Sequence, residues 1–214
     1  MGKYYHSNTL DFKNNGKWVL SHNPEPYHKV WTRAGRLWCS INQRLRCATV
    51  GNVVYARTTN NFMDFQEFAG WCQAQYGYMN KEGNGKFWSL DKDILNLSSE
   101  ISTYSKDTCC FVPAIVNCLF TYRKSNKGEY PTGVNFHGKS GKFVAQCNVK
   151  GKQIHLGLYN DPSSAHKAWQ TYKLQELVRI TDISEVREHL FLRVALENWV
   201  RLFENQIRNG LETV

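Results

Sequence analysis

Residues 89–95 read SLDKDIL, so Asp91, Lys92 and Asp93 set two carboxylates around a lysine between aliphatic residues. A carboxylate on a strand can hold a hard divalent cation, and such a cation on a scissile phosphate stabilises charge developing on the leaving oxygen. Hydrolysis also needs a second amide or imidazole ligand and a base beside the carboxylate to activate water. The alternative for the same stretch is an edge strand with solvated charges. A second polar set lies further along. Asn135, His137, Gln146, Asn148 and His155 carry amides and imidazoles that can hydrogen-bond base edges. Lys139, Lys142, Lys150 and Lys152 interleave with them and can anchor phosphates. Its alternative is a small sheet with a solvated basic face.

Each set needs particular elements beneath it. KFWSLDKDIL reads as a strand, residues 96–106 as a polar loop, and TCCFVP as a second short strand. Pro113 can open the helix PAIVNCLFTY at its first turn, where its missing N–H costs nothing. The order over residues 87–120 is therefore strand, loop, strand, helix. Residues 132–159 alternate instead: Phe143, Ala145 and Cys147 point one way, and Lys142, Val144, Gln146 and Asn148 the other. HGKSG and KG signal tight turns, so three antiparallel strands are predicted. A helix follows, with Asp161 as cap, Pro162 at its first position, and Ala165, Ala168, Trp169 and Tyr172 on its inner stripe.

The flanking chain supplies further elements. Residues 1–30 are polar, with SHNPEPYH predicted as a loop. Trp31, Leu37, Trp38, Ile41 and Leu45 have helical spacing, and VGNVVYAR reads as a short strand. Phe65, Phe68, Ala69, Cys72 and Tyr76 share one face of a predicted helix that starts at a capping box, Asp64 with Glu67, and stops at Gly77. Near the C-terminus Asp182 and Glu185 suggest a second capping box. Val186, Leu190, Val194, Leu196, Val200, Phe203 and Ile207 follow at apolar helical positions, and Gly210 closes one docking helix or two. RKSNKGEYP, residues 123–131, is polar and turn-rich and is predicted to separate domains.

Composition narrows the partners. The 214 residues carry a formal net charge of +9, with 42% hydrophobic and 14% aromatic residues. Such a chain buries a core, and its charge favours a polyanion, most simply nucleic acid. Between residues 123 and 152 seven cations face the single acid Glu129, a local charge of +6. The seven cysteines (Cys39, Cys47, Cys72, Cys109, Cys110, Cys118 and Cys147) show no C-x-x-C spacing, which points to buried reduced thiols and no zinc. The polar N-terminus fits no signal peptide, and no apolar run approaches a membrane span. Neither a membrane nor a small-molecule substrate is expected as a partner.

LDKDIL followed by YSKDTCCFVPAIVN resembles phage-encoded H-N-H endonucleases, over roughly residues 62–120. That family carries an Asp-His pair on the first strand, an Asn at the start of the second, and a His or Asn in the helix. The resemblance implies a ββα-metal fold, with Asp91 as metal ligand and Asn117 as the second ligand. Lys92 stands where the general-base His is usual, and Thr108 where the middle Asn is. A lysine of ordinary pKa, about 10.4, is protonated at neutral pH and cannot accept a proton. Lys92 thus suits a phosphate clamp, flanked by the catalytic-strand carboxylates of Asp91 and Asp93.

Residues 130–173 carry YPTGV, GKFVAQ, LGLY and SSAHKAWQTYK, and resemble the plant ethylene-response-factor type of DNA-binding domain. This resemblance implies a three-stranded sheet packed on a helix and laid into the major groove. That family usually reads bases with several arginines, and this segment has none on its strands.

The expectation is an α+β protein in three parts. Residues 1–122 form an H-N-H-like ββα-metal domain, 123–175 an ethylene-response-factor type domain, and 176–214 a helical tail. The expected activity is site-specific DNA cleavage of the homing type, with double-stranded DNA as partner and Mg²⁺ or Mn²⁺ as cofactor. The resemblance places the protein in the cytoplasm of an infected bacterial host, not secreted. A catalytically inactive DNA-binding regulator and a structural or host-interaction protein are the alternatives.

Overall fold

The computed structural model describes residues 10–25, 28–48, 58–97, 102–119, 129–149 and 152–213. The chain is mixed α+β and divides into two compact units, residues 1–93 with 100–111, and residues 94–99 with 112–214. The predicted strand at residues 50–57 and most of the predicted boundary at 123–131 lie outside the described residues.

The first unit opens with two hairpins. β1 (Lys13–Asn14) and β2 (Lys17–Trp18) join through Asn15 and Gly16, both at positive φ, the geometry of the hairpin turn that Asn-Gly favours. β3 (Ser21–Glu25) pairs antiparallel with β4 (His28–Trp31). Within the predicted loop SHNPEPYH, residues 21–25 and 28 are therefore strand, and the two residues between lie outside the described ones. Thr32 then donates to the carbonyls of Val19 and Leu20 and accepts from the Gly35 amide, capping α1 (Arg33–Ala48).

α1 packs its Leu37, Trp38, Ile41 and Leu45 against α2 (Phe65–Ala74), whose Phe68 and Cys72 are fully buried. The Asp64 carboxylate accepts from the Glu67 amide at 2.9 Å, and the Glu67 carboxylate accepts from the Met63 amide at 2.7 Å, so the predicted cap forms. Tyr76 lies beyond the last turn and is exposed. Gly77 has φ +82 and packs on Trp88, where an added Cβ would stand 2.6 Å from the indole.

β5 (Thr58–Asn60) pairs parallel with β7 (Ser102–Tyr104), linked by Thr59 and Thr103 hydroxyls 2.9 Å apart. Ser102–Tyr104 was expected to be loop; pairing with a distant strand decides otherwise. β6 (Ser89–Asp91) pairs with β8 (Cys110–Val112). The predicted long strand KFWSLDKDIL shortens to three residues because Asp91 Oδ1 accepts from the Asp93 amide at 2.9 Å and bends the chain.

In the second unit α3 (Ala114–Asn117) follows Pro113, which serves as its cap residue. β9 (Val134–His137), β10 (Lys142–Val149) and β11 (Lys152–Tyr159) form an antiparallel sheet in the order β11-β10-β9. α4 (Pro162–Thr181) covers one face, with Ala165 against Val134 and Ala145. Its cap forms as predicted: Asp161 Oδ1 accepts from the Ser164 amide at 2.8 Å. α4 runs through residue 175, where a domain boundary was expected, because Leu177 and Ile180 continue its buried face.

α5 (Ser184–Arg187) and α6 (Leu190–Asn209) complete the unit, and α6 packs on α4 through Phe203 and Trp169, with ring centroids 6.2 Å apart. The predicted capping box at Asp182 is absent. Asp182 terminates α4, and Ile183 precedes α5 without a side-chain cap. The buried face of α6 is Leu192, Ala195, Leu196 and Phe203, so the predicted core positions Leu190 and Val194 are exposed. Gly210 closes α6 in the left-handed conformation, as its position predicted. No described helix is long and apolar enough to cross a membrane.

Candidate nucleic-acid interface and catalytic strand

Strand register decides which polar residues share a face. His137 lies opposite Lys142 and Asn135 opposite Val144 across β9 and β10. Gln146 lies opposite His155, and Asn148 opposite Gln153, across β10 and β11. Side chains alternate along a strand, and directly paired residues point the same way. Asn135, His137, Lys142, Val144, Gln146, Asn148 and His155 therefore occupy the face away from α4. All are exposed except Val144 and Gln146, which are half-buried on the central strand. Phe143, Ala145 and Cys147 occupy the other face, and Ala145 and Cys147 are buried there.

This face holds two residues not nominated from the sequence. Gln153 could have been found by its parity with His155. Leu158 could not, because β11 carries a bulge between the Gly157 and His155 pairings that restores Leu158 to the outer face opposite Val144. Lys152 pairs with Val149 and has the helix-side parity, so it does not belong to the outer face. Lys139 is exposed in the turn between β9 and β10. The Ser140 hydroxyl lies 2.8 Å from His137 Nδ1 and orients that ring. Lys150 lies outside the described residues.

The catalytic-strand candidates divide between units: Asp91, Lys92 and Asp93 lie in the first, and Asn117 in the second, where it ends α3 half-buried. Asp91 is 6% exposed. The Lys92 ammonium lies 2.6 Å from Asp93 Oδ1 and 5.8 Å from the centre of the Tyr104 ring. Thr108, at the position of the family's middle Asn, spends its hydroxyl on local structure: it donates to the Thr103 carbonyl at 2.5 Å and accepts from the Ser105 amide.

A ligating carboxylate is usually itself hydrogen-bonded, and the Asp93 amide supplies that bond to Asp91. A carboxylate oxygen such as that of Asp91 suits a hard cation such as Mg²⁺ or Mn²⁺. Among the described residues no group of three or more His, Cys, Asp and Glu side chains could hold a metal. Burial pushes the Cys109 thiol up to about 12, with Asp91 adding to the rise, and pushes the Cys72 and Cys110 thiols up further. Comparison of the chain with protein-family models, curated proteins and solved structures finds no match in any of the three.

Proposed function

We propose that this protein is a site-specific DNA endonuclease of the H-N-H type, which reads duplex DNA with the outer face of β9, β10 and β11. The reading is supported chiefly by that face: imidazoles, amides and Lys142 gather on one side of a sheet whose other side is sealed by α4. Three strands at about 4.8 Å spacing set the outer two roughly 10 Å apart. A major groove about 12 Å wide accommodates such a ribbon. The exposed lysines would contact phosphates, and Asn135, Gln146, Asn148, Gln153 and His155 would meet base edges.

Asp91 would hold a Mg²⁺ or Mn²⁺ ion. Bound there, the metal would polarise the scissile phosphate and stabilise the leaving oxygen. A second reading, a DNA-binding regulator without nuclease activity, is favoured by the Lys92–Asp93 ion pair at 2.6 Å, which occupies the side chain standing where the family's base is usual.

The test is a salt series of duplex binding by the full chain, followed by cleavage of phage genomic DNA in each metal. Binding with a negative log–log salt slope and metal-dependent cleavage is expected. Binding without cleavage in either metal selects the regulator. No salt-dependent affinity for duplex DNA removes both.

A further inference from the structure

α1 carries Arg33, Arg36, Arg44 and Arg46 in sixteen residues and no acid. Two of these arginines have distinct environments. Arg33 is drawn inward, its guanidinium stacked 4.0 Å from the Phe87 ring centre and donating to the Trp88 carbonyl. Arg44 is exposed, and its Nη1 donates to the Tyr104 hydroxyl at 2.8 Å. Tyr104 is 1% exposed and fixed in β7, where its carbonyl accepts from the Asn61 amide at 2.8 Å. Lys92 lies on the same ring, 5.8 Å from its centre, and next in sequence to Asp91.

We infer that Arg44 and Lys92, spaced by the buried Tyr104, form a second phosphate-binding surface in the first unit, beside Asp91. Its ligand class is the sugar–phosphate backbone of DNA, and the inference rests on the endonuclease reading above. An arginine presents five donors in a planar fork that matches phosphate oxygens, and the bond to a buried tyrosine fixes where that fork stands. The Lys92 side chain is 12% exposed and its ammonium pairs with Asp93 at 2.6 Å, so it would serve a phosphate by exchanging that carboxylate for it. The role is positional: two clamped phosphates would register the backbone against the carboxylate of Asp91, while the outer face of β9, β10 and β11 supplies sequence preference.

The test is fluorescence anisotropy of the full chain on duplex DNA across a salt series. Each phosphate contact contributes about −0.9 to the slope of log affinity against log salt. Arg44→Gln should reduce the slope by roughly that one contact and weaken binding to all sequences alike. Arg44→Lys should keep the slope, because it keeps the charge. Arg44→Gln removes a hydrogen bond from the buried Tyr104 hydroxyl, so its melting temperature is measured alongside and slopes are compared where both proteins are folded. An Arg44→Gln protein with the full wild-type slope overturns this inference alone, as does a loss confined to one DNA sequence. A wild-type chain with no salt-dependent affinity overturns it together with the reading on which it rests.

Discussion

His155 and Gln146 stand opposite each other on the outer face of the sheet, although Val144 pairs with Leu158 on the same two strands. Those pairings differ by one residue, and the bulge that absorbs it falls beside Gly157, at φ +134. An added Cβ there would lie 3.1 Å from the Tyr159 ring. Gly157→Ala should destabilise the second unit by roughly 1–3 kcal/mol, the usual cost of forcing a side chain into a glycine-only conformation. It should also erode sequence preference more than the salt slope, because the bulge aligns base-reading groups and not lysines. Urea unfolding and binding to matched and shuffled duplexes measure the two effects.

Under the proposed endonuclease reading, variants at Asp91 and Lys92 separate cleavage from binding. Asp91→Ala should abolish metal-dependent cleavage and leave duplex affinity nearly intact, since the reading face lies in the other unit. Lys92→Ala should lower both cleavage and salt slope, as a phosphate clamp would. Lys92→His should not restore cleavage; a marked gain, through an imidazole titrating near about pH 6.5, would instead show that the strand lacked only its base. Single-turnover cleavage with anisotropy controls distinguishes these outcomes.

His166 links pH to the C-terminal segment. Its Nδ1 lies 2.8 Å from the Thr132 carbonyl, and its Nε2 accepts from the Thr213 amide at 3.0 Å. Burial lowers its pKa below the ordinary value, against the opposing pull of Thr132 and Glu212. The folded state therefore binds a proton less readily than the unfolded chain. Its contribution is fully present above about pH 6.5, the unfolded value, and is lost as pH falls toward the lowered folded value. His166→Asn should be less stable than wild type at neutral pH, and the gap should narrow in acid. Urea midpoints measured at several pH values test this.

The thiols differ in reach. Cys118 is exposed, whereas Cys72, Cys109, Cys110 and Cys147 are buried. A thiol raised to about 12, as Cys109 is, carries almost no thiolate at neutral pH. An aromatic disulfide reagent should therefore modify Cys118 rapidly, and Cys118→Ser should remove that phase. Cys72, Cys109 and Cys110 should react only on unfolding. Rapid labelling of any of these three in the native protein would contradict their burial.

Sequence alone determined the features whose information is local. Asp64 with Glu67, Asp161 with Pro162, and Gly210 each satisfy a helix end within a few residues, so their types and spacing sufficed. The alternation of Lys142 through Asn148 likewise marked the central strand and its two faces. The Asn15-Gly16 turn was equally local and went unread because the stretch is polar throughout. Asp182 with Glu185 matched the same capping spacing and formed no cap, since the buried face of α4 carried that helix to Thr181.

Tertiary structure decided the rest. β5 and β7 are forty-four residues apart at Thr59 and Thr103, and each finds its ladder partner in the other. The bulge in β11 moves Leu158 onto the outer face, which no periodicity of two can reveal. Tyr104 likewise acquires its place between Arg44 and Lys92 only when α1 and the Asp91 strand meet it. The physical reason is common to all three. A cap or an alternation is satisfied by neighbours along the chain, whereas pairing, register and side-chain clustering are satisfied by partners that only folding brings within hydrogen-bond or packing distance.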